Sequence, residues 1–267
     1  MNFKLRSGES EGEVYAYGAH VTRFNDVLFM SEKSHFTPGK AIRGGIPVIF
    51  PWFGAHGSDP ARPAHGFART MEWRVIAQAG SSIALQLESN EATRALWPHE
   101  FRATVRVSVE SRLSVSLEVE NTSEEAFVFE EALHTYLRVG DIRQVAVFGL
   151  EGASYIDKTD EMKEKQARPA PLTIDRETDS VFLDTEAACR VEDQSMRRSI
   201  IVEKSGSRST IVWNPHAAKA KALSDFGDDE WERMICIEAA NVAGNAVRLD
   251  PGQTSLMTTV VTAADLS

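Results

Sequence analysis

The feature that most constrains this chain is a strict alternation of apolar and polar residues between positions 101 and 120. Apolar side chains occupy every second position from Phe101 to Val109, and the pattern resumes from Leu113 to Val119 after a short break. Successive side chains of an extended strand point to opposite faces, so a period of two gives one apolar and one polar face. The pattern predicts an antiparallel hairpin with one face in a hydrophobic core and the other in water.

Shorter segments with strand character recur along the rest of the chain, whereas helical patterns are few. The segments are Trp73–Ala77, Ile83–Leu87, Val145–Phe148 and Leu256–Val261. Short helices are predicted only at residues 89–97, behind a Ser-Asn cap, and at residues 228–233. Strands do not alternate with long helices, as they would in a βαβ protein. We therefore predict an all-β fold, a large antiparallel β-sandwich with few short helices.

Two local predictions concern the second half of the chain. Ile200–Glu203 and Thr210–Trp213 flank a Ser-Gly-Ser sequence at residues 205–207, which is typical of a hairpin turn between two paired strands. Residues 158–178 are rich in charge and proline, which favours an exposed loop within one domain.

Composition excludes several classes of protein. The chain has 267 residues, 29 Lys and Arg against 39 Asp and Glu, and a net charge of −10. A large nucleic-acid interface needs clustered basic residues, so no nucleic-acid partner is expected. Cys189 and Cys236 are too few for a disulfide framework or a zinc site, and we expect reduced, partly buried thiols. No long apolar run and no apolar segment within residues 1–13 is present, so we expect a cytoplasmic protein with no membrane partner.

Two segments near the N-terminus do not read as ordinary strands. Residues 43–54 combine Arg43 and a Gly-Gly pair with two prolines, a composition that suits a rigid loop with close backbone approach. His65 and Arg69 follow, four residues apart around a glycine. His65 and Arg69 could face one pocket or could be ordinary surface groups, and residues 43–54 could equally be a buried connector with a solvated Arg43.

Two ionisable residues lie inside apolar segments. His134 is surrounded by Ala, Leu, Tyr and Val, and Glu238 interrupts the apolar run of residues 234–242. An ionisable group in such a place is costly unless it is hydrogen-bonded or paired. A period of two places Glu238 on one face with Met234 and Cys236. Each residue is either a satisfied core group or a general acid or base, since imidazole and carboxylate can both exchange protons near neutral pH.

Taken together, these segments resemble the hexose-6-phosphate mutarotases, or glucose-6-phosphate 1-epimerases, of the aldose 1-epimerase superfamily. The matching motifs are AIRGGIPVIFPWFG (41–54), HGFAR (65–69), ALHTYLRVGDI (132–142), ETDSVF (177–182), VWNP (212–215), KAKALSDFGDDEW (219–231) and CIEAANV (236–242). The resemblance implies one galactose-mutarotase-like domain over residues 1–267, with an open sugar cleft on one sheet face.

The resemblance also implies a role for six residues. His134 and Glu238 correspond to the catalytic pair, with Glu238 as the base and a protonated His134 as the acid in ring opening. The remaining four correspond to substrate-binding positions: Arg43 and Arg69 for the phosphate, and Asp179 and His65 for the sugar. This chemistry implies no cofactor and no metal.

Two other functions stay open at this point. A mutarotase for unphosphorylated aldoses would share the fold and the acid–base pair without needing the two arginines. A non-catalytic carbohydrate-binding or sugar-phosphate-sensing protein would keep the cleft and use aromatic residues such as Trp52 or Trp213 as platforms. The expected partner is a small-molecule hexose 6-phosphate, and we expect a monomer, although the sequence does not determine the oligomeric state.

Overall fold

Twenty-one strands and two short α-helices make up the computed structural model, which describes residues 1–266. The helices are α1 (Glu91–Leu96) and α2 (His216–Ala222). The strands of the first half are β1 (Asn2–Ser7), β2 (Ser10–Tyr15), β3 (His20–Phe24), β4 (Val48–Ile49), β5 (Arg74–Gln78), β6 (Ser82–Glu88), β7 (Phe101–Val109), β8 (Leu113–Asn121), β9 (Phe127–Phe129), β10 (Glu131–Leu133) and β11 (Tyr136–Arg138). Those of the second half are β12 (Val145–Phe148), β13 (Ser154–Asp157), β14 (Lys163–Gln166), β15 (Thr178–Phe182), β16 (Cys189–Asp193), β17 (Arg198–Ser205), β18 (Ser209–Asn214), β19 (Met234–Asn241), β20 (Val247–Leu249) and β21 (Thr254–Asp265).

Two eight-stranded antiparallel sheets form the sandwich. The front sheet has the order β14-β13-β15-β18-β19-β10-β4, with β11 also pairing with β19. The back sheet has the order β12-β16-β17-β21-β8-β7-β6-β5. Side chains of both sheets belong to one continuous cluster of buried hydrophobic residues. The predicted all-β sandwich is therefore confirmed, and β7 and β8 form the predicted hairpin.

Strand β19 lies in the middle of the front sheet and is buried on both faces. All eight of its residues are buried. Asn241 contacts Met257 of the back sheet through its side-chain nitrogen, so the face that carries Asn241 points inward. Because strand faces alternate, Met234, Cys236 and Glu238 share the opposite face, as the sequence predicted. That outer face is the surface on which the candidate site is built.

The predicted hairpin across residues 205–207 is wrong. Strand β17 pairs with β16 and β21 in the back sheet, whereas β18 pairs with β15 and β19 in the front sheet. The turn therefore crosses from one sheet to the other. Gly206 has φ +64°, and a Cβ there would lie 2.0 Å from the carbonyl oxygen of Leu256, while the Ser207 hydroxyl donates to the carbonyl oxygen of Ala240 over 2.9 Å. A short glycine turn looks the same in sequence whether its strands pair or separate.

Two further elements differ from the sequence predictions. Residues 158–178 are not wholly a loop, because they contain β14, which pairs with β13 as a charged, exposed edge strand. Such charges at an edge oppose pairing with other chains. Helix α2 was not predicted, although its Ala- and Lys-rich sequence has high helix propensity. The helix at Asn90 is confirmed, with Asn90 and Thr93 forming a capping box, and residues 230–233 form the expected single turn.

Both cysteines are free and buried. Among residues 1–266, no helix is long and apolar enough to cross a membrane.

A buried carboxyl group on β10 makes the stability of the fold depend on pH. Glu131 Oε1 accepts a hydrogen bond from the Asn241 side chain over 2.8 Å, whereas Oε2 is buried and has no hydrogen-bond partner among residues 1–266. Burial raises the pKa of Glu131 from 4.5 to about 7. The folded state therefore holds a proton that the unfolded state has already released between pH 4.5 and 7, so stability falls as the pH rises through that window.

We predict that Glu131→Gln removes this loss. A neutral amide keeps an oxygen for Asn241 and never ionises. The free energy of unfolding of the variant minus that of the wild type should be about 3 kcal/mol larger at pH 8 than at pH 4. This figure follows from the difference of about 2.5 between the pKa values of Glu131 in the folded and unfolded states. Urea denaturation at both pH values measures the change, with Glu130→Gln, whose carboxylate accepts backbone N–H groups nearer the surface, as a comparison. An unchanged stability difference at the two pH values would contradict the prediction.

Candidate active site

The strand register places His134 directly opposite Glu238. Leu133 pairs with Ala239 and Tyr136 pairs with Cys236, so the register is the same on both sides of the short gap between β10 and β11. Directly opposed residues of antiparallel strands project their side chains to the same face. His134 Nε2 lies 3.4 Å from Glu238 Oε1. Two neighbouring strands of one sheet therefore bring the two predicted catalytic residues together.

The pair is deeply buried but not satisfied by the protein. The Glu238 side chain is 1% exposed and that of His134 is 9% exposed. His134 Nδ1 and both carboxyl oxygens of Glu238 are buried without a hydrogen-bond partner among residues 1–266, and a separation of 3.4 Å is longer than a normal hydrogen bond. Buried polar atoms are nearly always paired. Three unpaired atoms on two adjacent side chains therefore indicate a place that a ligand fills.

Burial favours the uncharged form of both residues in the free protein. It raises the pKa of Glu238 well above its ordinary value, and the negative charge of Asp179 raises it further. Burial also lowers the pKa of His134, as do the positive charges of Arg69 and Arg43. The expectation that His134 starts out protonated therefore does not fit the free protein.

Aromatic side chains hold the imidazole in place. Tyr136 stacks on His134 with ring centroids 4.7 Å apart and an angle of 11° between the planes. Trp213 meets His134 edge-on at 6.0 Å. Both aromatic residues lie in motifs that carried the resemblance, but sequence reasoning assigned Tyr136 no role and named Trp213 only as a candidate aromatic platform.

Arg43 is fixed by two partners. Its Nε and Nη2 atoms donate to the two carboxylate oxygens of Asp225 over 3.2 and 3.1 Å, and Nη1 donates to the Tyr136 hydroxyl over 3.1 Å. Burial would lower the pKa of Arg43, but the oxygens of Tyr136 and Asp225 outweigh burial and raise it. The guanidinium has five N–H groups, so two stay available. Arg43 thus also holds the tyrosine that stacks on His134.

The glycines that follow Arg43 allow close backbone approach, as the sequence predicted. Gly45 has φ +62°, and a Cβ there would lie 2.1 Å from the carbonyl oxygen of Val21. The backbone N–H of Tyr136 also donates to the carbonyl oxygen of Gly45 over 2.9 Å. The Arg43 loop is therefore fixed against the site strands.

Arg69 is a cation with no acidic partner among residues 1–266. It lies in a single 3₁₀ turn, Ala68–Thr70, and its Nη2 atom donates to the carbonyl oxygen of Ala64 over 2.8 Å. No carboxylate among residues 1–266 lies within 4.0 Å of its guanidinium. Burial, followed by the charge of Arg43, lowers the pKa of Arg69 to about 10. An anion between the two arginines would relieve this unfavourable positive charge.

His65 lies beside the pair with one nitrogen already occupied. Its ring centroid is 6.0 Å from that of His134, and its Nδ1 atom accepts the backbone N–H of Gly54 over 3.3 Å. Burial and the charge of Arg69 lower its pKa well below the ordinary value. A neutral imidazole that accepts at Nδ1 carries its proton on Nε2. His65 is therefore a hydrogen-bond donor at Nε2.

Asp179 completes the set of predicted residues. It lies on β15 opposite Trp213 of β18, on the same face of the front sheet as Glu238. Lys158 Nζ is 3.1 Å from Asp179 Oδ2. The structure therefore brings all six predicted residues to one face beside Trp213, and adds Tyr136, Asp225 and Lys158. Lys158 gave no signal in the sequence, because it lies in a segment with many charged residues.

No group of three or more His, Cys, Asp or Glu side chains among residues 1–266 is arranged to hold a metal ion.

Comparisons with known proteins agree with this arrangement. The aldose 1-epimerase family model matches residues 1–262. A protein of Cenchrus ciliaris, provisionally named a glucose-6-phosphate 1-epimerase, is 35% identical over 90% of this chain and 78% of its own length. A Salmonella typhimurium protein with the same provisional name is 34% identical over 83% of this chain and 76% of its own. A crystal structure of a provisionally named mutarotase from Salmonella typhimurium has a TM-score of 0.90 at 30% identity and covers 99% of this chain and 90% of its own. The resemblance and the mutarotase-like fold are confirmed.

The unpaired charge of Arg69 predicts that the free site binds inorganic phosphate. Hydrogen bonds to charged groups contribute about 1.5–3 kcal/mol each, so Arg69→Met should weaken phosphate binding at least about 10-fold. Isothermal titration at low ionic strength measures the affinity. Arg74→Met, which removes an exposed arginine whose side chain donates to Gln86, is the matched control and should bind like the wild type. Equal affinities of the Arg69 variant and the wild type would contradict the prediction.

Proposed function

The chain belongs to the aldose 1-epimerase family, and from this we propose that it interconverts the α and β anomers of hexose 6-phosphates, with glucose 6-phosphate as the preferred substrate. One observation carries the proposal: within residues 1–266, a buried acid–base pair with three unpaired polar atoms adjoins an arginine without an acidic partner. A sugar hydroxyl and ring oxygen would pair with the former, and a phosphate with the latter.

Ring opening needs two proton transfers at neighbouring oxygens. Glu238, as the carboxylate, takes the proton of the C1 hydroxyl, and the O–H electron pair forms the C1=O1 double bond. The bond between C1 and the ring oxygen breaks, and its electron pair goes to the ring oxygen, which takes a proton from His134. Rotation about C1–C2 followed by closure on the other face reverses both transfers. Each positioned transfer contributes about 10²–10⁴-fold to the rate.

The separation of the pair suits this chemistry. At 3.4 Å the two side chains face each other without a normal hydrogen bond, so their reactive atoms stay available to a third molecule. The ring of His134 is held by Tyr136 and Trp213, which limits the conformational freedom lost on reaching the reactive geometry.

Substrate binding also supplies the charge state that the reaction needs. The resting pair, a neutral His134 and a protonated Glu238, holds the same number of protons as the reactive pair, a protonated His134 and an ionised Glu238. Arg69 and Arg43 lower the pKa of His134 in the free protein. A phosphate dianion bound to them offsets their positive charge and raises the pKa of His134. The phosphate would therefore favour the protonated acid as well as anchor the substrate.

The other predicted residues orient the sugar. His65 donates from Nε2, and Asp179 accepts from a hydroxyl group. Arg69 is the principal phosphate ligand because it has no acidic partner in the described part of the chain, whereas Arg43 adds two N–H groups from a position fixed by Asp225. An unphosphorylated hexose would leave the arginine charges uncompensated, which favours the phosphorylated substrate.

Anomer exchange measured by NMR magnetisation transfer tests the proposal. We expect faster exchange with glucose 6-phosphate than with glucose. His134→Asn and Glu238→Gln should each reduce the acceleration by about 10²–10⁴-fold, whereas Arg74→Met should keep it. Circular dichroism shows whether each variant folds.

Three results would change the conclusion. Equal acceleration of glucose and its 6-phosphate would indicate a mutarotase for neutral aldoses. Binding without acceleration would indicate a sugar-phosphate-binding protein. Full activity of both His134→Asn and Glu238→Gln would exclude the assigned acid–base pair.

A further inference from the structure

A row of side chains crosses the outer face of the front sheet and ends at a lysine. Successive strand registers align its members, and Lys158 extends β13 by one residue through its backbone N–H, which donates to the carbonyl oxygen of Asp179 over 2.9 Å. The members of the row, in order, are Tyr136, Cys236, Trp213, Asp179 and Lys158. The backbone positions at the two ends are about 19 Å apart at the usual strand spacing of about 4.8 Å. The arginines adjoin one end, and Lys158 forms the other.

Lys158 keeps hydrogen-bonding capacity that residues 1–266 do not use. Its Nζ atom lies 3.1 Å from Asp179 Oδ2 and 5.0 Å from the centre of the Phe53 ring, and the side chain is 24% exposed. An ammonium group has three N–H donors, and its one contact with a carboxylate among residues 1–266 is this ion pair with Asp179. Asp179 Oδ1 accepts no hydrogen bond from residues 1–266. The two side chains together thus present free donors and a free acceptor side by side.

The order of the strands decides which part of the substrate reaches this end, given the proposed function. Across the sheet from the arginine end, His134, which meets the ring oxygen, comes first, and Glu238, which meets the C1 hydroxyl, comes next. Asp179 and Lys158 lie two and three strands beyond Glu238. The phosphate, C6 and C5 lie on the arginine side of the ring oxygen. Carbons C2 and C3 therefore point toward Asp179 and Lys158.

We propose that Lys158 is a substrate-binding residue, which together with Asp179 binds the neighbouring hydroxyl groups at C2 and C3 of the sugar. Lys158 donates to one hydroxyl oxygen, and Asp179 accepts from the other hydroxyl. Paired charges of opposite sign match two adjacent hydroxyl groups, each of which can donate and accept. This end of the site would select among hexoses, while the arginine end selects for phosphate. The inference rests on the proposed function for the orientation of the sugar.

The electrostatics of the site fit a lysine at this position. The charge of Asp179 raises the pKa of Glu238, whereas Lys158 and Arg69 lower it. Asp179 can therefore bind a hydroxyl close to the catalytic carboxyl group because Lys158 offsets its charge. A purely structural surface ion pair would contribute little, and it would not need to face the site.

Binding of deoxy sugars tests the assignment. The wild type should bind glucose 6-phosphate at least about 10-fold more tightly than 2-deoxyglucose 6-phosphate or 3-deoxyglucose 6-phosphate, because a hydrogen bond to a charged group is lost. Each deoxy sugar thus gives a ratio of its dissociation constant to that of glucose 6-phosphate. In Lys158→Met, at least one of these two ratios should fall to within about twofold of unity, because the variant lacks the side chain that the missing hydroxyl would have contacted. Titration calorimetry measures all three affinities, and Lys158→Leu, which also lacks a hydrogen-bond donor, carries the test if the Met variant fails to fold.

Lys165→Met is the matched control. Lys165 lies in the same hairpin and pairs with Asp157 and Asp160, away from the site face, so both ratios should stay at wild-type values. Wild-type ratios in Lys158→Met, or equal losses in both lysine variants, would overturn the inference. Because the readout is binding, a wild type that binds with these ratios but does not accelerate anomer exchange would contradict the proposed function alone. A wild type that binds none of the three sugars would overturn both.

Discussion

The site depends on one strand register in the front sheet. A shift of one residue between β19 and the segment from β10 to β11 would turn Glu238 or His134 to the other face. Strand β19 is buried on both faces, so the packing of its inward face against the back sheet fixes which residues face outward. The same packing that stabilises the sandwich therefore aligns the two ionisable groups and removes them from water. Their unpaired atoms are the part of this arrangement that folding alone does not explain.

Charge is distributed unequally along the site. One end carries Arg43, which is neutralised by Asp225, and Arg69, which is not. The other end carries Lys158, whose charge is matched by Asp179. The net positive charge therefore lies at the arginine end, although the chain as a whole has a charge of −10. Local placement of a few cations decides what the site attracts, and a phosphate bound at one end would define the direction in which the sugar lies across the acid–base pair.

Sequence reasoning predicted the fold class, and the sheet face on which Glu238 lies, better than it predicted connections. The alternation of apolar and polar residues indicated the strands of the sandwich and the face on which Glu238 lies, because the direction of each side chain in a strand follows from its position in the local sequence. It could not show that β17 and β18 belong to different sheets, since a glycine turn is compatible with either path. Lys158 was missed for a similar reason: its place beside Asp179 is set by the pairing of β13 with β15, which no local pattern encodes. The protonation state of His134 depends on burial and on arginines distant in sequence, so it also required the structure.

A crystal structure with bound 1,5-anhydroglucitol 6-phosphate tests the central claim most directly. This analogue has the ring oxygen and the phosphate but lacks the C1 hydroxyl, so it cannot open. We predict that the ring oxygen lies within about 3.2 Å of His134 Nε2, a normal hydrogen-bond distance, with C1 beside Glu238 and the phosphate on Arg69. A phosphate bound at Lys158, or a ring oxygen far from His134, would contradict the assignment of the acid–base pair and the direction of the substrate.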